Sequence, residues 1–279
     1  MENLSELAPS LLKAPEGYWV ASSSVPVSFP ARGHDDCFSF EDDSFWFRHR
    51  NNVITDAVRR FPPGGAVFDI GGGNGYVAKG LETAGFSSVL VEPGQAGASN
   101  ALKRGLQDVV CSTLEAANFR PGSLPAAGLF DVLEHVKEED AFLQSLYSVL
   151  RPQGRIYLTV PAFQLLWSTD DVYAGHHRRY TLKSLAASLG RAGFAVEYIS
   201  YFFWCLAPPV FAFRTIPTWL GFSRSESVDD VRRDHAPRSS LLARVVDRAL
   251  QAERAWLRAE HVIPVGGSCL AVGRRLKDA

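Results

Sequence analysis

From residue 66 to residue 200 short apolar runs alternate with longer segments whose apolar side chains recur every three or four positions. Residues 66–70, 88–91, 108–111, 127–133, 155–160 and 194–200 read as strands, the fourth ending near Asp131. Residues 74–84, 96–104, 138–150 and 182–192 read as helices, the last stopped by Gly193. Strands spaced by helices of about 10–15 residues predict an α/β fold with a parallel sheet covered on both faces. In such sheets ligands bind at the carboxyl ends of the strands, near the point where strand order reverses. Arg151-Pro152-Gln153-Gly154 reads as a turn into the fifth strand.

The flanks break this rhythm. Residues 1–40, rich in Pro and Ser, read as an irregular arm. Residues 41–60 read as a helix carrying Phe45, Trp46, Phe47, Arg48 and Arg50, which serve either as a lid or as ordinary core packing. A last strand is expected at 268–272. Before it lie the aromatic run 201–213, an arginine-rich stretch at 223–238, and an amphipathic helix over 239–260. That helix shows Leu242, Val245, Val246, Ala249, Trp256 and Leu257 on one face. The expected organisation is an N-terminal arm and helical lid (1–60), a core (61–200 and 261–279), and a hydrophobic, mostly helical cap inserted at 201–260.

Composition narrows the function classes. With 29 basic and 30 acidic residues the formal charge is −1, so no general attraction to nucleic acid is expected. Residues 224–258 carry eight arginines, but residues 226–260 carry seven acids. Cys37, Cys111, Cys205 and Cys269 are dispersed, without a CxxC pair, which argues against a disulfide scaffold or structural zinc. The start, MENLSELAPSLLKAPEG, lacks a basic segment followed by an apolar core, so a cytoplasmic location is the default. The 13-residue run 201–213 contains Pro208 and Pro209 and as a helix would span only about 20 Å of a roughly 30 Å hydrocarbon core. Peripheral membrane contact through 201–221 is the remaining membrane option.

Chemistry concentrates in Val67-Phe68-Asp69-Ile70-Gly71-Gly72-Gly73-Asn74-Gly75, a strand entering four glycines within five residues. Such a turn lets backbone approach a ligand closely. Asp69 precedes it, and Glu92 ends the next strand, where an acid can accept both hydroxyls of a ribose. By these features alone a nicotinamide-dinucleotide oxidoreductase stays open, and Glu92 would favour NAD over NADP. The spacing here is GxGxG rather than GxGxxG.

DIGGGNG, LVEP, FDVLEHV and LRPQGRIYLTVP, in that order, resemble the successive motifs of class I S-adenosylmethionine-dependent methyltransferases. The resemblance runs from about residue 45 to 200, with a final strand at 268–272. It implies a Rossmann-like seven-stranded sheet with helices on both faces and the last strand antiparallel. It further implies that Asp69, Gly71, Gly73 and Gly75 meet the amino-acid end of S-adenosylmethionine and that Glu92 meets its ribose. Thr113-Leu114 would lie by the adenine, and Asp131 and Val132 by the methionine moiety. The second glycine, often Cys in relatives, is Gly72 here and is expected to be compatible with binding. Segments like His176-His177-Arg178-Arg179-Tyr180-Thr181 (HxRRYT) recur in a bacterial branch of the family associated with cell-surface and natural-product biosynthesis.

An oxygen acceptor calls for a general base, whereas an amine needs only to be unprotonated. His135 and His176 are the candidate bases, each with a structural role as the alternative. His177, Arg178, Tyr180 and Trp204 are candidate acceptor contacts. The alternative for Arg178 and Arg179 is that they pair with Asp170 or Asp171 and fix their loop. Two adjacent histidines suit a metal, but no ligand constellation is visible in the spacing, and none is expected. Phe202, Phe203, Trp204, Phe211 and Phe213 either line an apolar acceptor pocket or pack against the 239–260 helix. The resulting expectation is methyl transfer to a small or lipid-like apolar acceptor, with O-methylation favoured over N- and C-methylation. A catalytically inactive methyltransferase-fold scaffold is the non-enzymatic alternative.

Overall fold

The computed structural model describes residues 3–21, 31–220 and 241–276. The described strands are β1 (Leu12–Lys13), β2 (Trp19–Val20), β3 (Val67–Ile70), β4 (Ser88–Val91), β5 (Val109–Cys111), β6 (Leu124–Phe130), β7 (Leu150–Pro161), β8 (Phe194–Phe202) and β9 (Ser268–Arg275). They form one sheet in the order β1-β2-β5-β4-β3-β6-β7-β9-β8. Neighbours from β2 to β7 pair in parallel, and β9 runs antiparallel to both β7 and β8. The seven strands β5 to β8 are thus the expected Rossmann-like sheet with its last strand antiparallel. The two extra strands come from the arm, read above as irregular. Each is two residues long, too short to leave a periodic signature.

The described helices are α1 (Leu4–Leu7), α2 (Ala31–Phe38), α3 (Phe45–Arg60), α4 (Tyr76–Thr83), α5 (Gln95–Lys103), α6 (Leu114–Ala117), α7 (Glu139–Val149), α8 (Thr169–Ala174), α9 (Leu182–Arg191), α10 (Ala207–Val210), α11 (Ile216–Trp219) and α12 (Leu241–Arg258). The sheet separates two apolar layers. Phe68 and Ile70 of β3 pack with Leu114, Leu143, Leu146 and Leu185 on one face. Val67 packs with Val53, Ile54, Val77, Leu81 and Leu250 on the other. Alternation along β3 therefore points Asp69 toward the α3 face. The Arg151–Gly154 segment does not interrupt β7. It forms a bulge, with Leu150 opposite Leu124 and Arg155 already opposite Ala126.

Ser44 caps α3 by accepting from the Phe47 amide at 3.3 Å. The helix thus starts at Phe45, four residues later than the pattern predicts. Docked against it is α12, whose inward face differs from the expected one. Val245 and Trp256 are more than half exposed, while Leu250 and Glu253 are buried, with Val246 and Leu257 packed beside them. The hydrophobic assignment fails at Glu253 because its charge is matched in the interior. Its Oε1 lies 2.7 Å from His49 Nε2 and accepts from the Phe203 amide at 2.8 Å, and its Oε2 accepts from the Trp204 amide at 2.7 Å. Asp56 of α3 also pairs with Arg254 and Arg258. The 223–238 stretch and the side chain of Leu242 lie outside the described residues.

Candidate active site

A cavity of about 1460 Å³ opens at the carboxyl ends of β3, β4, β6 and β7, where strand order reverses between β3 and β6. Its floor at one end is the glycine turn. Gly71 takes φ +71°, and a Cβ there would stand 2.9 Å from Val132 Cγ2. At Gly72 a Cβ would lie 2.3 Å from Leu90 Cδ1 and 2.5 Å from Asp69 Oδ2. Any larger side chain there would have to displace Leu90 or Asp69. Gly75, at φ +74°, is the N-cap of α4 and faces Ala101 and Leu106 rather than the cavity. That corrects its assignment as a cofactor contact: its role is to let the helix pack on α5.

Asp69 is fully buried, and neither carboxylate oxygen makes a hydrogen bond of ordinary geometry. Burial raises its pKa to about 7, against the lowering effect of Arg50. Glu92 is likewise raised to about 7 by burial, opposed by hydrogen bonds from two amides. Its Oε2 accepts from the Gly73 N–H at 2.8 Å and its Oε1 from the Gly94 N–H at 2.6 Å. His34 of α2 reaches over this carboxylate, with Nε2 3.6 Å from Oε1, and lines the same end of the cavity. Ser112, Thr113 and Leu114 form the adjoining wall, where the Thr113 hydroxyl caps α6 by accepting from the Ala116 amide.

Asp131, at φ +59°, lies just past the end of β6, with Val132 beside it on the cavity wall. Its Oδ2 is 2.9 Å from Arg50 Nε, and its Oδ1 accepts from the Thr159 hydroxyl at 3.0 Å. Arg50 also donates to the Phe130 carbonyl at 2.9 Å, and its guanidinium sits over the Trp46 ring at 5.2 Å. Phe45, Trp46, Phe47, Arg48 and Arg50 line the cavity, and Trp46 also stacks on buried Phe203.

The far end gathers the histidines. His135 and His176 meet edge to face, with ring centroids 4.7 Å apart, and His177 joins them on the wall. His176 Nδ1 is 2.8 Å from Asp171 Oδ1. Arg179 grips the same carboxylate with Nε at 2.8 Å and Nη2 at 2.9 Å. Burial alone would raise Asp171, but the hydrogen bonds from His176 and Arg179 win and hold it at about 2. Burial lowers His135 to about 4, with His176 adding to the effect, so its imidazole is neutral at pH 7. Glu134 beside them is raised well above the usual carboxylate range by burial and by Asp131.

Three predicted acceptor contacts lie elsewhere. Arg178 donates to Glu139 and to the Lys137 carbonyl, and the Tyr180 hydroxyl donates to Glu139 at 2.6 Å in the interior. The Trp204 side chain is half exposed and off the cavity. The arginines thus fix their loop, Arg179 through Asp171 as anticipated and Arg178 through Glu139. Of the five candidate aromatics, Phe203 and Phe213 reach the wall together with Leu206, Pro209 and Val210; Phe202 is core, and Phe211 packs on Trp219. Sequence reading missed His34, Ser112 and Glu134. Only Glu134 carried a signal, standing between the predicted Val132 and His135.

The chain was compared with known proteins. A methyltransferase domain family matches residues 46–199. Ubiquinone biosynthesis O-methyltransferase of Mus musculus is 28% identical over 139 residues, covering 45% of this chain and 38% of the mouse protein. The chain thus aligns with well under half of that curated relative. Among solved structures, a Thermotoga maritima S-adenosylmethionine-dependent methyltransferase superposes with TM-score 0.54 at 16% identity, covering 88% of this chain and 95% of that one. Phosphoethanolamine N-methyltransferase 2 of Haemonchus contortus, solved with S-adenosylmethionine, gives TM-score 0.54 at 17% identity over 89% of this chain and 58% of that one. These likenesses agree with the fold, and the domain match sets aside the oxidoreductase alternative. Matched over more than half of its 279 residues, the chain belongs to the methyltransferase domain family.

Proposed function

We propose that this enzyme methylates an oxygen of a small or lipid-like apolar acceptor. One observation carries the reading: a single cavity joins an acid-and-glycine end to an end where paired histidines face apolar walls. The relation to an O-methyltransferase supports the choice of oxygen. In this reading residues 1–60 are arm and lid, and residues 201–260 cap the acceptor end of the core formed by 61–200 and 261–279. Phe213, Trp219 and Leu220 expose apolar side chains on that cap, and no described helix is long and apolar enough to cross a membrane. Such a surface suits an acceptor drawn from a lipid phase.

The cofactor end fits its group. Buried Asp69 has oxygens without ordinary hydrogen-bond partners, and the glycine backbone comes close, as a cationic amino-acid moiety would require. Asp69, Gly71 and Gly73 would hold that moiety, Glu92 the ribose hydroxyls, Thr113 and Leu114 the base, and Asp131 with Val132 the reacting end. S-adenosylmethionine, when bound, supplies an electrophilic methyl group. The protein's own task is to align the acceptor about 3–3.5 Å from that carbon and exclude water. Leu206, Pro209, Val210 and Phe213 orient the acceptor's apolar body, and His135 and His176 mark where its proton is removed.

The test offers alkyl-substituted phenols and catechols beside the matching amines, with methyl-labelled cofactor. Labelled ethers support the reading, and labelled amines alone overturn it. His135→Ala and His176→Ala are expected to keep cofactor affinity within about threefold while turnover falls roughly 100-fold or more. Unchanged turnover in both variants would remove the histidines from the reaction.

The two raised carboxyls also predict a pH dependence. With pKa values near 7, Asp69 and Glu92 are partly protonated at pH 6 and ionised at pH 8. A cationic ligand with ribose hydroxyls to donate favours their ionised forms. Cofactor affinity is therefore expected to rise from pH 6 to pH 8, with net proton release on binding near pH 6.5. Calorimetry in buffers of different ionisation heat measures both, and a flat profile would place these protons elsewhere.

A further inference from the structure

Glu134, His135 and His176 each turn one potential ligand atom toward the others, all within 4.8 Å, and all three residues border the cavity. The Glu134 carboxylate is fully buried, and neither of its oxygens makes a hydrogen bond of ordinary geometry. His176 Nε2 lies 4.0 Å from its Oε1, too far for one. A desolvated carboxylate without a well-placed donor is costly, and a cation among the three atoms would satisfy it.

The surroundings are arranged as for ligation. His176 presents Nε2 because Nδ1 is engaged by Asp171, itself fixed by Arg179 and by the Ser168 amide at 2.8 Å. A carboxylate behind the second ring nitrogen sets the tautomer and aim of a metal-binding imidazole. The His135 ring makes a hydrogen bond with the Ala174 backbone, the other usual support for such a ligand. Asp131 lies close but is committed to Arg50 and Thr159, so it is not counted among the donors.

We propose that Glu134, His135 and His176 bind one divalent transition-metal cation at the acceptor end of the cavity. Two imidazoles and one carboxylate suit zinc, manganese or iron(II) better than magnesium or calcium, which prefer all-oxygen sets. Three protein donors leave coordination positions open toward the cavity, as in catalytic rather than structural sites. The role of the ion rests on the O-methylation reading. An acceptor hydroxyl at an open position would lose its proton to water more readily, and the histidines would then act by holding the ion.

The experiment is uptake of the metal alone. Chelator-stripped full-length enzyme, without cofactor or acceptor, is titrated with Mn²⁺ under electron paramagnetic resonance and with Zn²⁺ under calorimetry. One ion per chain at micromolar affinity is expected, weakened at least 100-fold in Glu134→Gln and His176→Ala and about 10- to 100-fold in Asp171→Asn. Cofactor binding is expected to persist in all three variants, which shows that they fold. Failure of the wild-type enzyme to take up either ion, while it still binds cofactor, overturns the site. So does uptake unchanged in Glu134→Gln and His176→Ala. Ether formation at full rate in stripped enzyme under chelator overturns the ion's role but leaves O-methylation standing. Uptake with amine products only leaves the site standing and overturns the oxygen acceptor.

Discussion

Glu92→Ala is expected to raise the dissociation constants of S-adenosylmethionine and S-adenosylhomocysteine at least about 100-fold, the loss of two hydrogen bonds to a charged acceptor. The carboxylate sits at the end of β4, where the Gly73 and Gly94 amides already converge on it. Two vicinal hydroxyls would meet both of its oxygens. The substitution should spare the fold. The Gly73 amide borders the cavity, where water can replace the lost acceptor, and a buried acid is removed. Because burial raises the folded-state pKa to about 7, the carboxyl costs nothing below the unfolded value near 4.5 and disfavours the native state increasingly as pH rises through 7. The variant should therefore melt no lower than the wild-type protein at pH 8, and any advantage should fade toward pH 5. Titration calorimetry and thermal melts at both pH values check this. Tight cofactor binding by Glu92→Ala would move the ribose contact to another residue.

Glu253→Ala is expected to cost about 3–5 kcal/mol, the penalty for breaking a buried, multiply bonded charge, and to lower the melting temperature by roughly 10 °C. Removing this side chain deprives His49 and the Phe203 and Trp204 amides of their common partner, all at the seam between α3, the end of β8 and α12. Glu253→Gln should fall between the two, because an amide retains only one acceptor oxygen. Calorimetric melts measure the size of the effect, and hydrogen exchange of α12 shows whether the helix opens first. A loss below about 1 kcal/mol would mean that water fills the gap without cost.

The glycine turn, Asp69, Glu92 and the strand–helix rhythm were legible because each is written locally, in residue type and in spacing of a few positions. The histidine cluster was legible only by halves. His135 and His176 stand on loops 41 positions apart, and what unites them with Glu134 is the parallel adjacency of β6 and β7, which no local pattern records. Arg178 and Tyr180 were misplaced because their partner, Glu139, begins a helix whose orientation the sequence does not state. On α12 the expected apolar face points about 50° away from the real interface at 3.6 residues per turn, since it omitted Leu250 and Glu253, the latter buried because the fold supplies its donors. Helix α2 went unseen because residues 31–38 combine a glycine with scattered polar residues and little apolar repeat.

The place of β9 between β7 and β8 has a consequence for how the chain is made. The residues proposed to hold the cofactor all precede residue 135, yet β7 and β8 acquire their shared neighbour only when residues 268–275 have been synthesised. Until then a nascent chain leaving the ribosome exposes two unpaired strand edges with apolar side chains, the feature that invites intermolecular pairing. A ribosome stalled between codons 205 and 265 should therefore display a species that binds chaperones, and release past codon 275 should end that association. The seven-residue register joining β7 to β9 acts as the closing step of biosynthesis as much as an element of the finished sheet.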